Sequence, residues 1–230
     1  MQNADAIEFS PMLTIVTLNF ARPQSLVHNL QVYSGYGLVD RIICFNNGPL
    51  IDPAQAPPKC LLVQSSNNLG LYPRFSVGAL ARTQAVLHTD DDILLPEETV
   101  IALYKFWQSA PDCCHGLHGR TARPSYQFGN VFGQVEIVLT RALLCSRKIN
   151  NAALAATVYF DDLLGVPPGN GEDIILSFAA MALSRRLNNA YLMPTMEHLV
   201  DPHTAIHRWP GHLSHRKSVV DRCRQVFNVS

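Results

Sequence analysis

Ala85-Val-Leu-His-Thr89 runs without a break into Asp90-Asp91-Asp92, and this junction decides the fold. Five residues, apolar and β-branched around His88, read as a short strand. The three carboxylates that follow repel one another unless positive charge is placed among them. Hard oxygen ligands held rigidly at the end of a strand suit Mg2+ or Mn2+ bound jointly by protein and a diphosphate. A solvated acidic turn capping the next helix would carry the same letters. The position favours the metal site, because ligands of open α/β sheets collect at the carboxyl ends of parallel strands.

Working outward, each earlier apolar run also ends in polar residues. Leu13-Thr-Ile-Val-Thr-Leu18 is a predicted strand that stops at Asn19, with Arg22 and Pro23 beyond. Leu26, Leu30 and Tyr33 mark a helix over 25–33. A second strand, Val39 to Phe45, ends at Asn46-Asn47-Gly48, and a third, Cys60 to Val63, leads to Asn67-Asn68. Residues 75–83 read as helical. Downstream, Pro96-Glu97-Glu98 opens a helix whose apolar face spans Val100 to Trp107, ending at Pro111. Residues 115–130 read as irregular, 131–140 as strand, 150–160 as helix, and 166–171 as loop. A clear helix follows over 174–186, and the signals weaken after Pro194. The expected architecture is one α/β domain over 1–230 with a central mixed, mostly parallel sheet. Its nucleotide-binding half covers about residues 12–95 and its acceptor or catalytic half about 96–230.

Composition narrows the function. The 230 residues carry 18 basic and 18 acidic side chains, 47% apolar and 16% charged overall. Neutrality gives no electrostatic case for nucleic acid. No apolar run approaches the roughly 20 residues of a membrane span, so no integral membrane segment is expected. Residues 1–11 lack a basic start and an apolar stretch, unlike a signal peptide. The six cysteines, Cys44, Cys60, Cys113, Cys114, Cys145 and Cys223, form no zinc spacing and are expected to be reduced thiols in a cytoplasmic protein.

A second acidic pair, Glu172-Asp173, follows Gly171 and opens the 174–186 helix. Capping and dipole compensation alone would place acids there. Combined with an upstream metal site, the pair supplies the carboxylate that chemistry at a sugar carbon needs. Arg22, Arg74, Arg120, Arg208 and Arg216 are candidate phosphate ligands, since a guanidinium offers a planar fork of donors. His198, His203, His207, His212 and His215 crowd the tail without a zinc-helix spacing.

These residues resemble the exostosin-like glycosyltransferases of family 64 in order and spacing across nearly the whole chain. Leu87-His-Thr-Asp-Asp-Asp-Ile-Leu94 is similar to that family's strand and D-x-D motif, and Phe106-Trp-Gln with Pro111-Asp112 to the helix after it. Asn170-Gly-Glu-Asp-Ile-Ile-Leu-Ser-Phe178 resembles its second acidic motif, and His212-Leu-Ser-His-Arg216-Lys-Ser218 its C-terminal segment. The resemblance implies a GT-A fold, Rossmann-like, that binds a UDP-sugar with Mn2+ (or Mg2+) and passes the sugar to a carbohydrate or other hydroxyl acceptor with retention of configuration, as a hexosyl- or N-acetylhexosaminyltransferase. It further implies that Arg22, Asn46 or Asn47, and Arg74 lie at the nucleotide, and that Asp90 faces the ribose or uracil. Asp91 would lie toward the donor sugar, with Asp92 as the main metal ligand beside Asp90. Arg216 would hold the diphosphate, and Asp173, or else Glu172, would be the catalytic carboxylate. Two positions depart from the family pattern: Pro73 replaces an asparagine before Arg74, and Gly171 and Val219 stand where the family carries cysteines, expected to be bridged in secreted members.

Two other readings use the same residues. An inverting family 2-like enzyme would employ Asp173 as general base, and a UDP- and Mn2+-binding protein would have little transfer activity. A nucleotidyltransferase is disfavoured, because Asn19-Phe-Ala-Arg-Pro23 is not a Gly-rich phosphate loop.

Overall fold

A computed structural model describes residues 12–164, 170–197 and 210–229. The first half is built on four parallel strands. Leu13–Asn19 (β1) is buried along its whole length, followed by the helix Pro23–Ser34 (α1), the strand Val39–Asn46 (β2) and the strand Cys60–Gln64 (β3). After the short helix Pro73–Gly78 (α2) comes the fourth strand, Ala85–Asp90 (β4). β2 and β4 flank β1, and β3 lies outside β2, all parallel. β1, β2 and β4 read as continuous apolar runs because both faces are covered, whereas the edge strand β3 is partly exposed. Leu13 and Ile15 pack with Leu26 and Leu30 of α1, while Val16 and Leu18 turn to the other face with Val77 of α2. Each such side chain contributes about 1.5–3 kcal/mol through burial.

The second half reverses direction. Beyond the strand Ile93–Leu94 (β5), the helix Glu97–Ser109 (α3) joins α1 on one face, contributing Val100, Leu103 and Trp107. Short strands follow at His115–Gly116 (β6), Gly119–Arg120 (β7), Gly133–Val135 (β8) and Ile137–Val138 (β9). Ala142–Ser146 (β10) then runs antiparallel to β4, with Ala142 opposite Thr89. The helices Arg147–Ala156 (α4), Asp161–Leu164 (α5) and Glu172–Ser184 (α6) come next, then the strands Asn188–Ala190 (β11) and Met196–Glu197 (β12), and last the helix His212–Phe227 (α7). The main sheet runs β3-β2-β1-β4-β10-β6-β11-β8. Ile149 of α4, Ile174 and Phe178 of α6 and Val219 of α7 pack together under it with Leu143 and Cys145 of β10. The expected mixed α/β sheet is present, with its parallel block at one side.

Several expected elements have different bounds. The helix expected over 75–83 ends at Gly78, a weak helix former, and the chain leaves through tight turns at Leu80 and Ala81. Gly78 is also where α4 comes closest: a Cβ there would lie 2.5 Å from Asn150 Oδ1. The strand expected over 131–140 is divided at Glu136, because β8 pairs with β11 whereas β9 pairs with β7. The helix expected over 150–160 begins earlier, where Ser146 Oγ caps the Ile149 N–H, and closes in a 3-10 turn over Thr157–Tyr159. The tail without clear signals contains α7. All six cysteines are free thiols, and no described helix is long and apolar enough to cross a membrane. Gly171 and Val219 face each other: a Cβ on Gly171 would stand 3.0 Å from Val219 Cγ2.

Candidate active site

β4 delivers Asp90 as its last residue, and Asp91 and Asp92 form the turn into β5. The backbone of that turn is held from α1: Asn29 Nδ2 donates to the carbonyls of Asp91 (3.3 Å) and Ile93 (3.0 Å). The Leu95 N–H donates to Tyr33 Oη at 3.0 Å. The apolar face of α1 thus carries two polar groups that fix where the carboxylates stand.

Arginines supply the positive charge that three adjacent carboxylates require. Arg22 Nη1 lies 2.7 Å from Asp91 Oδ1 and 3.4 Å from Asp92 Oδ2. Arg141 Nε stands 3.6 Å from Asp92 Oδ1, and Arg74 Nη2 3.0 Å from Asp90 Oδ1. Burial pushes the Asp91 carboxyl up to about 6, with Arg22 opposing. Burial and then the Asp90 charge raise Asp92 as well.

The second acidic pair is set at the start of α6. Gly171 adopts φ +122, a conformation that favours glycine, and so turns Glu172 and Asp173 inward, where both are buried. Asp173 Oδ2 accepts from Arg216 Nη2 at 2.5 Å, and Arg216 Nη1 donates to Asn170 Oδ1 at 2.7 Å. Burial opposes the Arg216 charge, but Asp173 and Tyr126 hold its pKa above the ordinary value. The Tyr126 ring lies under the guanidinium at 4.5 Å. His212 Nδ1 and Asn170 Nδ2 are 2.8 Å apart, and His215 Nε2 lies 2.6 Å from the Asn170 carbonyl. Glu172 Oε1 accepts from Thr140 Oγ1 at 2.7 Å. Burial raises the Glu172 carboxyl, opposed by Arg74.

Arg74 joins the two clusters. Its side chain is 1% exposed, reaching Asp90 on one side and, at 3.7 Å from Nε, Glu172 Oε1 on the other. Its Nη1 donates to the Thr140 carbonyl at 3.3 Å. A chain of contacts therefore runs from Asp90 to Glu172 through one guanidinium.

Asn46 and Asn47 lie at the end of β2, both buried and engaged. Asn46 accepts from Asn19 Nδ2 at 2.6 Å, and its Nδ2 meets Gln64 Oε1 at 2.9 Å. Asn47 bonds the Gly70 carbonyl at 2.7 Å and the Leu69 N–H at 2.9 Å. Both tie together the loops that rim the strand ends. Arg120 is bonded to Asn130 and the Gly119 carbonyl, with its guanidinium 5.5 Å from the Phe128 ring centre, and its charge reaches Tyr126, the ring under Arg216. Arg208, His198, His203 and His207 lie outside the described residues. Sequence reasoning missed Arg141 and Thr140. Both precede β10, whose antiparallel register brings them opposite the end of β4.

Among the described residues, no three His, Cys, Asp or Glu side chains form a metal cage. The acidic edge nonetheless fits a hard cation in one respect: Asp92 Oδ1 is buried with no hydrogen-bond partner. A cation bound there would complete its shell with phosphate oxygens and water, as Mg2+ usually does.

The mixed α/β sheet carries one acidic cluster at the end of β4, and Arg74 links it to a second at the start of α6. Residues 13–230 match the Glycosyl transferase family 64 domain, and the chain belongs to that glycosyltransferase family. It is 26% identical over 181 residues to glucosamine inositolphosphorylceramide transferase 1 of Arabidopsis thaliana, an alignment covering 72% of this chain. The chain spans 23% of that relative's length.

Proposed function

We propose that this domain is a GT-A glycosyltransferase that uses a UDP-sugar with Mn2+ and transfers the sugar with retention of configuration. The observation that supports this reading best is the Arg74 bridge, with Asp90 at 3.0 Å on one side and Glu172 at 3.7 Å on the other. One guanidinium fixes the spacing between a nucleotide-side carboxylate and the carboxylate pair at the sugar side. Asp92 would hold the cation through its buried Oδ1, and a cation there would offset charge on the departing diphosphate.

The residues of the chain divide the rest of the work. Arg22 and Arg141 supply guanidinium donors beside Asp92, where a diphosphate would lie. Asp173, held by Arg216 and by the start of α6, presents a carboxylate that would stabilise positive charge developing at the anomeric carbon. Arg216 fixes its direction and adds positive charge on the leaving-group side. Glu172 holds Thr140 and Arg74 in place.

The relative's name points to an amino sugar, so hexosaminyl transfer to a hydroxyl acceptor is the first donor class to test. NMR of the product from an α-linked UDP-sugar checks the stereochemistry. An α-linked product supports retention, and a β-linked product favours the inverting reading with Asp173 as general base.

A further inference from the structure

We infer that Arg141, together with Arg22, gates the metal site: the two guanidiniums hold Asp92 closed to a free divalent cation, and the cation enters with the diphosphate. The inference rests on the UDP and Mn2+ reading above and deepens it. Arg141 is assigned as a positioning residue, one that acts on metal entry through Asp92.

Asp92 has a guanidinium at each oxygen, Arg22 Nη1 at 3.4 Å from Oδ2 and Arg141 Nε at 3.6 Å from Oδ1. Arg22 is shared with Asp91 at 2.7 Å. The two arginines come from unrelated parts of the chain. Arg22 precedes α1, and Arg141 precedes β10, one residue before the position that pairs with Thr89 of β4. A divalent cation arriving alone at Asp92 would therefore meet two positive charges a few ångströms away in a partly buried site, where like charges are poorly screened. The Asp92 side chain is 12% exposed. A diphosphate changes that balance. Its oxygens accept from guanidinium forks as well as a carboxylate does, and they bring negative charge beside the cation. Arg22 and Arg141 then exchange Asp92 for phosphate, and the vacated carboxylate oxygens face the cation.

Both contacts leave the strength to the ligand. At 3.4 and 3.6 Å they are looser than the 2.5 Å pair of Arg216 with Asp173. The Arg141 contact that is given up at Asp92 Oδ1 is a long one, 3.6 Å from Nε. Nucleotide and metal binding are then positively coupled, and the coupling is reciprocal.

The test titrates the full chain with Mn2+ and follows the free-ion EPR signal, without and with saturating UDP, in the wild type, Arg141→Gln and Arg141→Lys. The wild type is expected to take up Mn2+ at least about tenfold more tightly with UDP than without, within the usual range of site-to-site coupling. Arg141→Gln is expected to strengthen binding of Mn2+ alone by about tenfold and to shrink the coupling, with Arg141→Lys lying between. A gain in affinity is a change that damage to the fold would not produce. Thermal unfolding of both variants identifies a misfolded one, and Arg141→Lys, which keeps the charge, remains readable if Arg141→Gln fails to fold. Tight Mn2+ binding by the wild type without UDP overturns the gate, as does unchanged binding of Mn2+ alone in the folded variants. If UDP and Mn2+ bind together but those two results occur, only the gate is lost. If neither ligand binds under any condition, the donor reading fails as well.

Discussion

The two acidic clusters, at the end of β4 and at the start of α6, are joined by Arg74 yet are built in opposite ways. Asp90, Asp91 and Asp92 share arginines from three separate segments at 2.7 to 3.6 Å, and the Asp90 side chain is 37% exposed. Glu172 and Asp173 each have a partner that the first cluster does not share, Thr140 at 2.7 Å and Arg216 at 2.5 Å, besides Arg74 at 3.7 Å from Glu172, and both are about 4% exposed. The first cluster has partners that an incoming anion and cation can replace. The second is preorganised, as a carboxylate aimed at a reacting carbon would have to be. On the proposed function, the difference would separate ligand capture from chemistry within one site.

The comparison breaks most visibly at Arg216. Replacing it by Met strands Asp173 in a buried site, a change that costs about 3–5 kcal/mol in denaturant unfolding. Asp173→Asn keeps the shape and is expected to lower transfer by about 10^3-fold while UDP binding persists. Loss of UDP binding in Asp173→Asn would mean that the second cluster captures ligand too.

Acid acts through a group behind both clusters. His88 of β4 is wholly buried. Burial, then the Arg74 charge, pulls its pKa down to about 3, with Asn150 opposing. The unfolded chain takes up that proton near 6.5 while the folded state refuses it until about 3. The unfolded state therefore binds more protons in this window, and the His88 contribution to stability is lost as pH falls from about 6.5 to about 3. The loss amounts to at most about 5 kcal/mol. Chemical unfolding of His88→Leu across that range should show a flatter acid limb than the wild type.

Smaller effects sharpen the contrast. Thr140→Val removes the hydroxyl from buried Glu172 and should cost about 1–3 kcal/mol in stability. Arg22→Met should cost about 1 kcal/mol or less, since its contacts lie near the surface and Asp91 can hold a proton to about pH 6. The same variant should weaken UDP binding measurably by calorimetry. A large stability loss from Arg22→Met would make the first cluster as fixed as the second.

The sequence made the first cluster legible with two of its arginines, Arg22 and Arg74, and hid the third, Arg141. β1, β2, β3 and β4 are short apolar runs ending in polar residues, and in β1, β2 and β4 burial on two faces is what produces that pattern. The acids of α6 were visible because they open a strongly apolar helix. Arg141 was not visible, because its place beside Asp92 depends on β10 running antiparallel to β4, and 131–140 read as one unbroken strand. α7 was obscured by its many charged residues, although its buried positions Arg216, Val219, Val220 and Cys223 follow helical spacing. The bond from Arg216 to Asp173 is tertiary, joining segments 43 residues apart, and no local pattern encodes it.

The central claim is that the edge holding Asp92 captures nucleotide and metal together. Calorimetry of UDP binding with and without Mn2+, in the wild type and in Asp92→Ala, tests it most directly. The account predicts that Mn2+ strengthens UDP binding by about tenfold or more in the wild type and has little effect in Asp92→Ala. Equal UDP binding with and without Mn2+, or an undiminished Mn2+ effect in Asp92→Ala, would contradict it.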